Sequence, residues 1–189
     1  METKMQINVD KRTWKSSPLP GHIVLVSTVN RYKIPNVAPK SWVSMVAFQP
    51  AIMGFGCNLK HQTAKNILET KEFVINVPSE DLAENVWKAG KHQHEGAENL
   101  RNLGFTLIPS IQISPPRIQE CKAHFECIYD SDNRYGDEIW IFGKVVSASI
   151  DKAVLEGSKQ KRYKHLNPIF YLEDATYGVL GSIKTIKEK

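Results

Sequence analysis

The sequence predicts a mainly β fold with short helices, an antiparallel barrel that carries its helices at the ends. Three observations lead there. Runs rich in Val, Ile, Thr and aromatic residues recur from His22 to Ile150. Helical patterns are few and short, and they fall between groups of strands instead of alternating with each one. The glycines never adopt the spacing of a dinucleotide-binding or Walker loop; the nearest grouping, Gly54-Phe55-Gly56, lies inside a strand pattern.

In chain order, His22 to Asn30 reads as a buried strand entered through Pro18, Pro20 and Gly21. Asn36 to Ser41 reads as a polar turn leading into a strand at Trp42 to Phe48, with Gln49-Pro50 a tight connection to the next strand, Ala51 to Asn58. Gln62 to Thr70 sets Ala64, Ile67 and Leu68 on one face, which predicts a short helix capped at its start by the Thr63 hydroxyl. Glu72 to Val77 is a strand stopped by Pro78. Ser79-Glu80-Asp81-Leu82 then opens a helix to about Ala89, with acidic residues at its positive end. Another short helix, Ala97 to Leu103, stops at Gly104. In Cys121-Lys122-Ala123-His124-Phe125-Glu126-Cys127 small or apolar residues alternate strictly with polar ones, so one face is expected buried and one wet. After a turn at Asn133 to Gly136, Ile139 to Ile150 is apolar on both faces around Trp140-Ile141-Phe142 and should pair with it as a hairpin. The tail from Lys152 has little periodicity, and Ile183 to Lys189 reads as a frayed end.

With 189 residues and 41% apolar content the chain is expected to form one domain over 1–189, its core spanning about 18–181. The longest apolar runs, such as Ile23 to Val26 and Val145 to Val146, are far shorter than a bilayer span, and Met1 to Lys15 is polar. The expectation is therefore a cytoplasmic protein, neither secreted nor inserted in a membrane. Three cysteines are an odd count; on one strand Cys121 and Cys127 would sit about 20 Å apart, too far to bridge, so free thiols in a reducing compartment are expected. His92 and His94 lack the further ligand pair of a structural zinc site and read as a solvated loop, so no metal is assigned. The net charge of +5 and a pI near 9.0 invite an anionic partner. Lys159, Lys161, Arg162 and Lys164, however, carry no interleaved base-stacking aromatics, which points to a solvated face or a small phosphate-bearing ligand and away from nucleic acid.

Two stretches carry candidate chemistry. Asn36-Val37-Ala38-Pro39-Lys40-Ser41-Trp42, followed by Ser44 and closed by Phe48-Gln49-Pro50, couples polar side chains and exposed backbone N–H groups to a strand. Such donors suit the edge of an isoalloxazine ring, where negative charge gathers on reduction; the bland alternative is that Asn36 and Ser41 satisfy their own turn. In Cys57-Asn58-Leu59-Lys60-His61-Gln62-Thr63-Ala64-Lys65-Asn66 a strand ends and a helix begins within a polar loop. A helix start binds phosphate through unpartnered N–H groups and its dipole, and Lys60, Lys65 and the Thr63 hydroxyl would add charge or a donor. An ordinary Thr63 cap with solvated lysines is the alternative.

Together and in this order these stretches resemble the flavin reductase-like family of FMN-binding split barrels, in the branch that includes flavoredoxin. The resemblance is also carried by Pro20-Gly21-His22-Ile23-Val24-Leu25-Val26-Ser27-Thr28, Thr63-Ala64-Lys65-Asn66-Ile67, Glu72-Phe73-Val74-Ile75-Asn76-Val77-Pro78 and Cys127. It continues through Ile141-Phe142-Gly143-Lys144-Val145 and His165-Leu166-Asn167-Pro168-Ile169-Phe170-Tyr171, and covers roughly Pro18 to Gly181. It implies a six-stranded antiparallel Greek-key split barrel, an obligate homodimer and FMN across the subunit boundary. By the same resemblance Asn36, Ala38 and Ser41, with Val37 and Trp42 in the same stretch, meet the flavin ring. Cys57 and Asn58 lie where the next strand passes it, and Thr63 and Asn66 hold the phosphate and ribityl end. Lys60 is assigned to the phosphate by its charge, and His165 and Tyr171 lie at the mouth of the site.

One residue departs from the family pattern. Many members place a His, thought to help bind nicotinamide, where this chain has Glu138, and a carboxylate there disfavours a pyrophosphate. The alternative for Asp137-Glu138 is a solvated turn after Gly136. The resemblance thus leads to a flavin-dependent oxidoreductase passing hydride or electrons from NAD(P)H or a protein to free flavin, iron or a redox partner, with the chemistry on the flavin and no catalytic side chain. An electron carrier without its own turnover is the second reading.

Overall fold

The computed structural model describes residues 19–91 and 96–186, so His92 and His94 lie outside the described residues. Its elements are β1 (Gly21–His22), β2 (Val24–Val29), β3 (Pro35–Lys40), β4 (Val43–Phe48), β5 (Ala51–Asn58), α1 (Gln62–Thr70) and β6 (Glu72–Val77). A single 3₁₀ turn then leads into α2 (Ala83–Lys91), α3 (Ala97–Asn102), β7 (Leu107–Ile108), β8 (Arg117–Ile118), β9 (Ala123–Tyr135) and β10 (Glu138–Ile150). The chain closes with α4 (Lys152–Leu155), α5 (Lys159–Leu166), β11 (Ile169–Glu173) and β12 (Thr176–Val179). The fold is mainly β with short helices, as expected.

One antiparallel sheet runs in the order β3-β2-β6-β9-β10-β5-β4 and curls until β3 touches β5; small sheets β1-β11-β12 and β7-β8 lie against it. The main sheet has seven strands, one more than expected, because Pro35 to Lys40 is a strand and not the turn its two prolines and Asn36 imply. β3 occupies a sheet edge, where a missing proline N–H leaves no ladder bond unmade. The connection β4 to β5 passes through the expected Gln49-Pro50 junction, a cis peptide bond.

β2 reads as a continuous apolar run because both its faces are buried. Val24 and Val26 join Phe55, Phe73, Ile75, Ile139 and Ile141 inside the curl, which α1 closes with Ala64 and Ile67. Ile23 and Leu25 face outward into a second cluster with Val37, Val86 and Ala89 of α2, Leu100, Phe105 and Ile118. β9 and β10 form the expected hairpin, but the strands run on to Tyr135 and the turn is Gly136–Asp137, with Gly136 at φ +60°.

The alternating face of β9 departs from expectation. His124 and Glu126, expected wet, are buried at 9% and 1% exposure under the segment 106–122. The Glu126 carboxylate accepts the N–H groups of Ile111 (2.9 Å) and Gln112 (2.8 Å) and faces Arg117 Nε at 3.7 Å. Asn76 extends the network, donating to the Leu25 carbonyl and accepting the Ile118 N–H, each at 3.0 Å. Buried polar groups hydrogen-bonded in this way fasten an irregular segment to the sheet.

His124 Nε2 donates to the Ile118 carbonyl at 2.8 Å, and in the neutral ring this sets the tautomer whose Nδ1 accepts the Ser149 hydroxyl at 3.0 Å. Burial, above all, holds its pKa below the ordinary value, aided by the Arg117 charge. In the unfolded chain it protonates near pH 6.5, so its stabilising effect is complete above that pH and is lost as pH falls toward the lower folded pKa. We expect His124→Gln to flatten the decline in unfolding free energy between pH 7 and pH 5. A single histidine contributes at most about 1.4 kcal/mol per pH unit to that slope. Equal slopes in the two proteins, measured by denaturant titration, refute the assignment.

The tail also holds more structure than its pattern predicts. Ile169 is fully buried, β11 pairs with β1 through Gly21↔Tyr171 and His22↔Phe170, and β12 completes the small sheet. The three cysteines are free and buried. No helix among the described residues is long and apolar enough to cross a membrane.

Candidate functional site

Three adjoining cavities meet at Pro39 and Lys40 of β3. The first, about 280 Å³, lies between Asn36–Lys40, the start of α1 (His61, Gln62, Thr63) and the end of α2 (Ala89, Gly90, Lys91). The second, about 380 Å³, continues past Ser41 and Trp42 to Gly56, Cys57, Asn58, His61 and Glu138. The third, about 390 Å³, opens between α2 and the small sheet, with Ile23, Val86 and Ile169 as its floor and Trp87, Tyr171 and Tyr177 around it.

The elements explain the convergence. As an edge strand β3 turns one face to α2, where Pro39 packs beside Gly90, and the other to β5 and α1. Gly21 of β1 lies so close to the bend after β3 that a Cβ there would overlap the Ser41 carbonyl oxygen, which fixes the Ser41 backbone against the small sheet. Gly56 of β5 leaves room for two indoles: a Cβ would stand 2.9 Å from Trp42 and 3.2 Å from Trp140.

Of the residues singled out from the sequence, Asn36, Val37, Ala38, Ser41, Trp42, Cys57, Asn58, Thr63 and Tyr171 all line these cavities. Lys60, Asn66 and His165 line none of them. Lys60 is exposed and turns to Asp137 at 3.9 Å. Asn66 is buried, with its amide committed to Thr28 Oγ1 (3.0 Å) and Gln62 Nε2 (2.8 Å). His165 sits on α5 and pairs with Asp151 at 3.4 Å.

Thr63 does not cap α1. The N-cap is His61, without a side-chain cap bond, and the Thr63 hydroxyl is buried at the cavity with no hydrogen-bond partner. Such an orphaned group is costly and calls for an explanation. Glu138, read alternatively as part of a solvated turn, is instead the half-buried first residue of β10; it accepts the Asn58 amide at 3.3 Å and lines the second cavity.

Lys40, His61 and Gln62 are cavity residues that the sequence reading left out. Lys40 is 9% exposed and has no carboxylate within ion-pair distance among the described residues; burial lowers its pKa. The only available sign was a cation inside an otherwise polar-to-apolar strand stretch, which reads equally as a solvated turn residue. The His61 pKa is lowered by partial burial and then by the Lys40 charge, with Glu138 opposing. Burial pushes the Cys57 thiol up to about 11, so it stays protonated at neutral pH and is no nucleophile.

Residues 16–175 match the model of the flavin reductase like domain. An uncharacterised protein of Pyrococcus abyssi is 34% identical over 144 residues, covering 75% of this chain and 82% of that protein. The fold is shared with nitrilotriacetate monooxygenase component B from Bacillus cereus (TM-score 0.85, 20% identity, 98% of this chain and 100% of that one). It is shared as well with flavoredoxin of Desulfovibrio vulgaris (Miyazaki F) (TM-score 0.81, 20% identity, 96% and 97%).

Proposed function

The chain belongs to the flavin reductase-like family, and from that premise we propose that it binds FMN in these cavities and acts as a flavin-dependent oxidoreductase. The observation that carries the reading is the buried, unpartnered Thr63 hydroxyl at the start of α1, in a cavity shared with the Asn36–Lys40 strand. A phosphate ester would satisfy that hydroxyl and the free N–H groups of the helix start together. Ala38, Ser41 and Trp42, with Cys57 and Asn58 beyond them, would then hold the ring, with backbone and side-chain donors available to its polar edge. Bound FMN supplies the hydride and electron chemistry; the protein orients the ring, excludes water and sets the charge around it.

A homodimer belongs to the same proposal. Met45, Val46 and Phe48 of the edge strand β4 are 43%, 51% and 88% exposed and Trp42 just before it 54%, so the sheet edge carries exposed apolar side chains on both its sides that a partner subunit would cover. Donor and acceptor are small molecules or a protein redox partner.

The second reading, an electron carrier without nicotinamide turnover, is favoured by one observation: Glu138 sets an anion at the cavity, and a nicotinamide dinucleotide brings two more negative charges toward it. The purified protein should be yellow, with a flavin band near ~450 nm, release FMN on heating, and sediment as a dimer. Its steady-state NADH or NADPH oxidation should be weak, and Glu138→His should raise kcat or lower KM. A colourless protein that takes up no flavin overturns the whole proposal. Fast wild-type turnover that Glu138→His slows overturns the second reading alone.

A further inference from the structure

We propose that Lys40, and not Lys60, is the counter-charge for the phosphate of bound FMN and the residue by which this chain selects FMN over riboflavin. The inference rests on the reading of the cavities as an FMN site. Lys40 and Thr63 come from different elements, the edge strand and the start of the nine-residue helix α1, yet line the same 280 Å³ cavity. Both side chains are more than nine-tenths buried. Neither is matched within the described residues: the Thr63 hydroxyl has no hydrogen-bond partner and Lys40 has no carboxylate within ion-pair distance. A lysine enclosed to this degree with no carboxylate partner favours an anion entering the cavity it lines, and the unpaired Thr63 donor at the helix start in the same cavity asks for the same ligand. The charge stands near His61, whose titration it shifts, and His61 is the residue that begins the helix.

The alternative cations are weaker candidates. Lys60 is exposed and turned to Asp137, Lys65 is exposed, and Lys91, although it lines the cavity, is exposed and lies over the Trp87 ring at 5.2 Å. Charges in water are screened, whereas one enclosed by protein acts through a lower dielectric and discriminates a dianion from a neutral hydroxyl more sharply.

The test loads the full chain by exchange with FMN or with riboflavin and reads each dissociation constant from flavin fluorescence. Wild type should prefer FMN. Lys40→Met should cut that preference about 10- to 100-fold, Lys40→Arg should keep most of it, and Lys60→Ala should leave it unchanged. Lys40→Gln makes the same comparison should Met fail to pack. Equal weakening of FMN and riboflavin by Lys40→Met would mean that the amine faces the ring, and a loss of preference in Lys60→Ala would return the phosphate to that lysine; either overturns the inference. Equal wild-type affinity for the two flavins also overturns it while the flavin site stands, and binding of neither removes the flavin reading itself.

Discussion

Glu126→Ala is expected to lower the free energy of unfolding by about 3 to 5 kcal/mol, the cost of breaking a buried ionic arrangement from one side. The substitution strands three groups at once. Arg117, only 18% exposed, loses the carboxylate at 3.7 Å, and the N–H groups of Ile111 and Gln112 lose their acceptor. Arg117 keeps the Pro109 carbonyl at 2.8 Å and Ser149 Oγ at 3.3 Å, so its own positioning is weakened without being abolished. Glu126→Gln retains an acceptor oxygen but not the charge and should cost roughly half as much, since hydrogen bonds to charged groups are worth about 1.5 to 3 kcal/mol against about 1 for neutral ones. Denaturant titration measures both. A loss under about 1 kcal/mol for the alanine variant would show that the segment 106–122 is held by its apolar contacts, Ile118 packed with Phe105 among them, and not by this carboxylate.

Gly21→Ala is the second large effect expected, about 2 to 3 kcal/mol of lost stability together with weaker flavin binding. The new methyl group would occupy the space of the Ser41 carbonyl oxygen and stand 2.9 Å from the carbon that bears it. A side chain in the way could rotate, but a backbone carbonyl moves only with its strand, so the strain of overpacking falls on the junction of β1 with the β3–β4 bend. Because Ser41 lines two of the three cavities, its displacement reaches the site directly. Gly178→Ala, in the same small sheet, meets only the Leu172 side chain at 3.6 Å or more, and should be close to neutral in both respects. If Gly21→Ala loses stability yet binds FMN like wild type, the small sheet does not position Ser41.

Much of this was readable residue by residue. Gln62–Thr70 and Glu72–Val77 matched their predicted bounds because each carries a strong local pattern, one apolar face in the first and a proline stop after the second. What escaped reading depends on partners far along the chain. β3 looks like a turn by composition and is a strand because the sheet edge tolerates Pro39. Glu126 looks solvated and is buried because residues 106–122 fold over it. α5 buries none of its residues and so shows no apolar stripe, while β11 is five residues long with only Ile169 buried, too short to show an alternating pattern. Within the site, position along the chain identified the cavity wall at Asn36 to Ser41, but charge alone pointed to Lys60, and nothing local singles out Lys40. The difference between the two lysines is burial, which a sequence of local patterns does not record.

The pairing of β1 with β11 carries a consequence for biosynthesis. Gly21 and His22 leave a ribosome long before their partners Tyr171 and Phe170, so the two strands cannot meet until β11 has been made. The neighbours of β2, in contrast, are available sooner: β3 follows it at once and β6 comes well before β11. Closing so long a loop is slow and entropically disfavoured. The cavity walled by Tyr171 and Tyr177 is therefore the part of the site completed last, and a nascent chain stalled before β11 would hold the cavity between β3 and α1 without the pocket that opens beside Ser41.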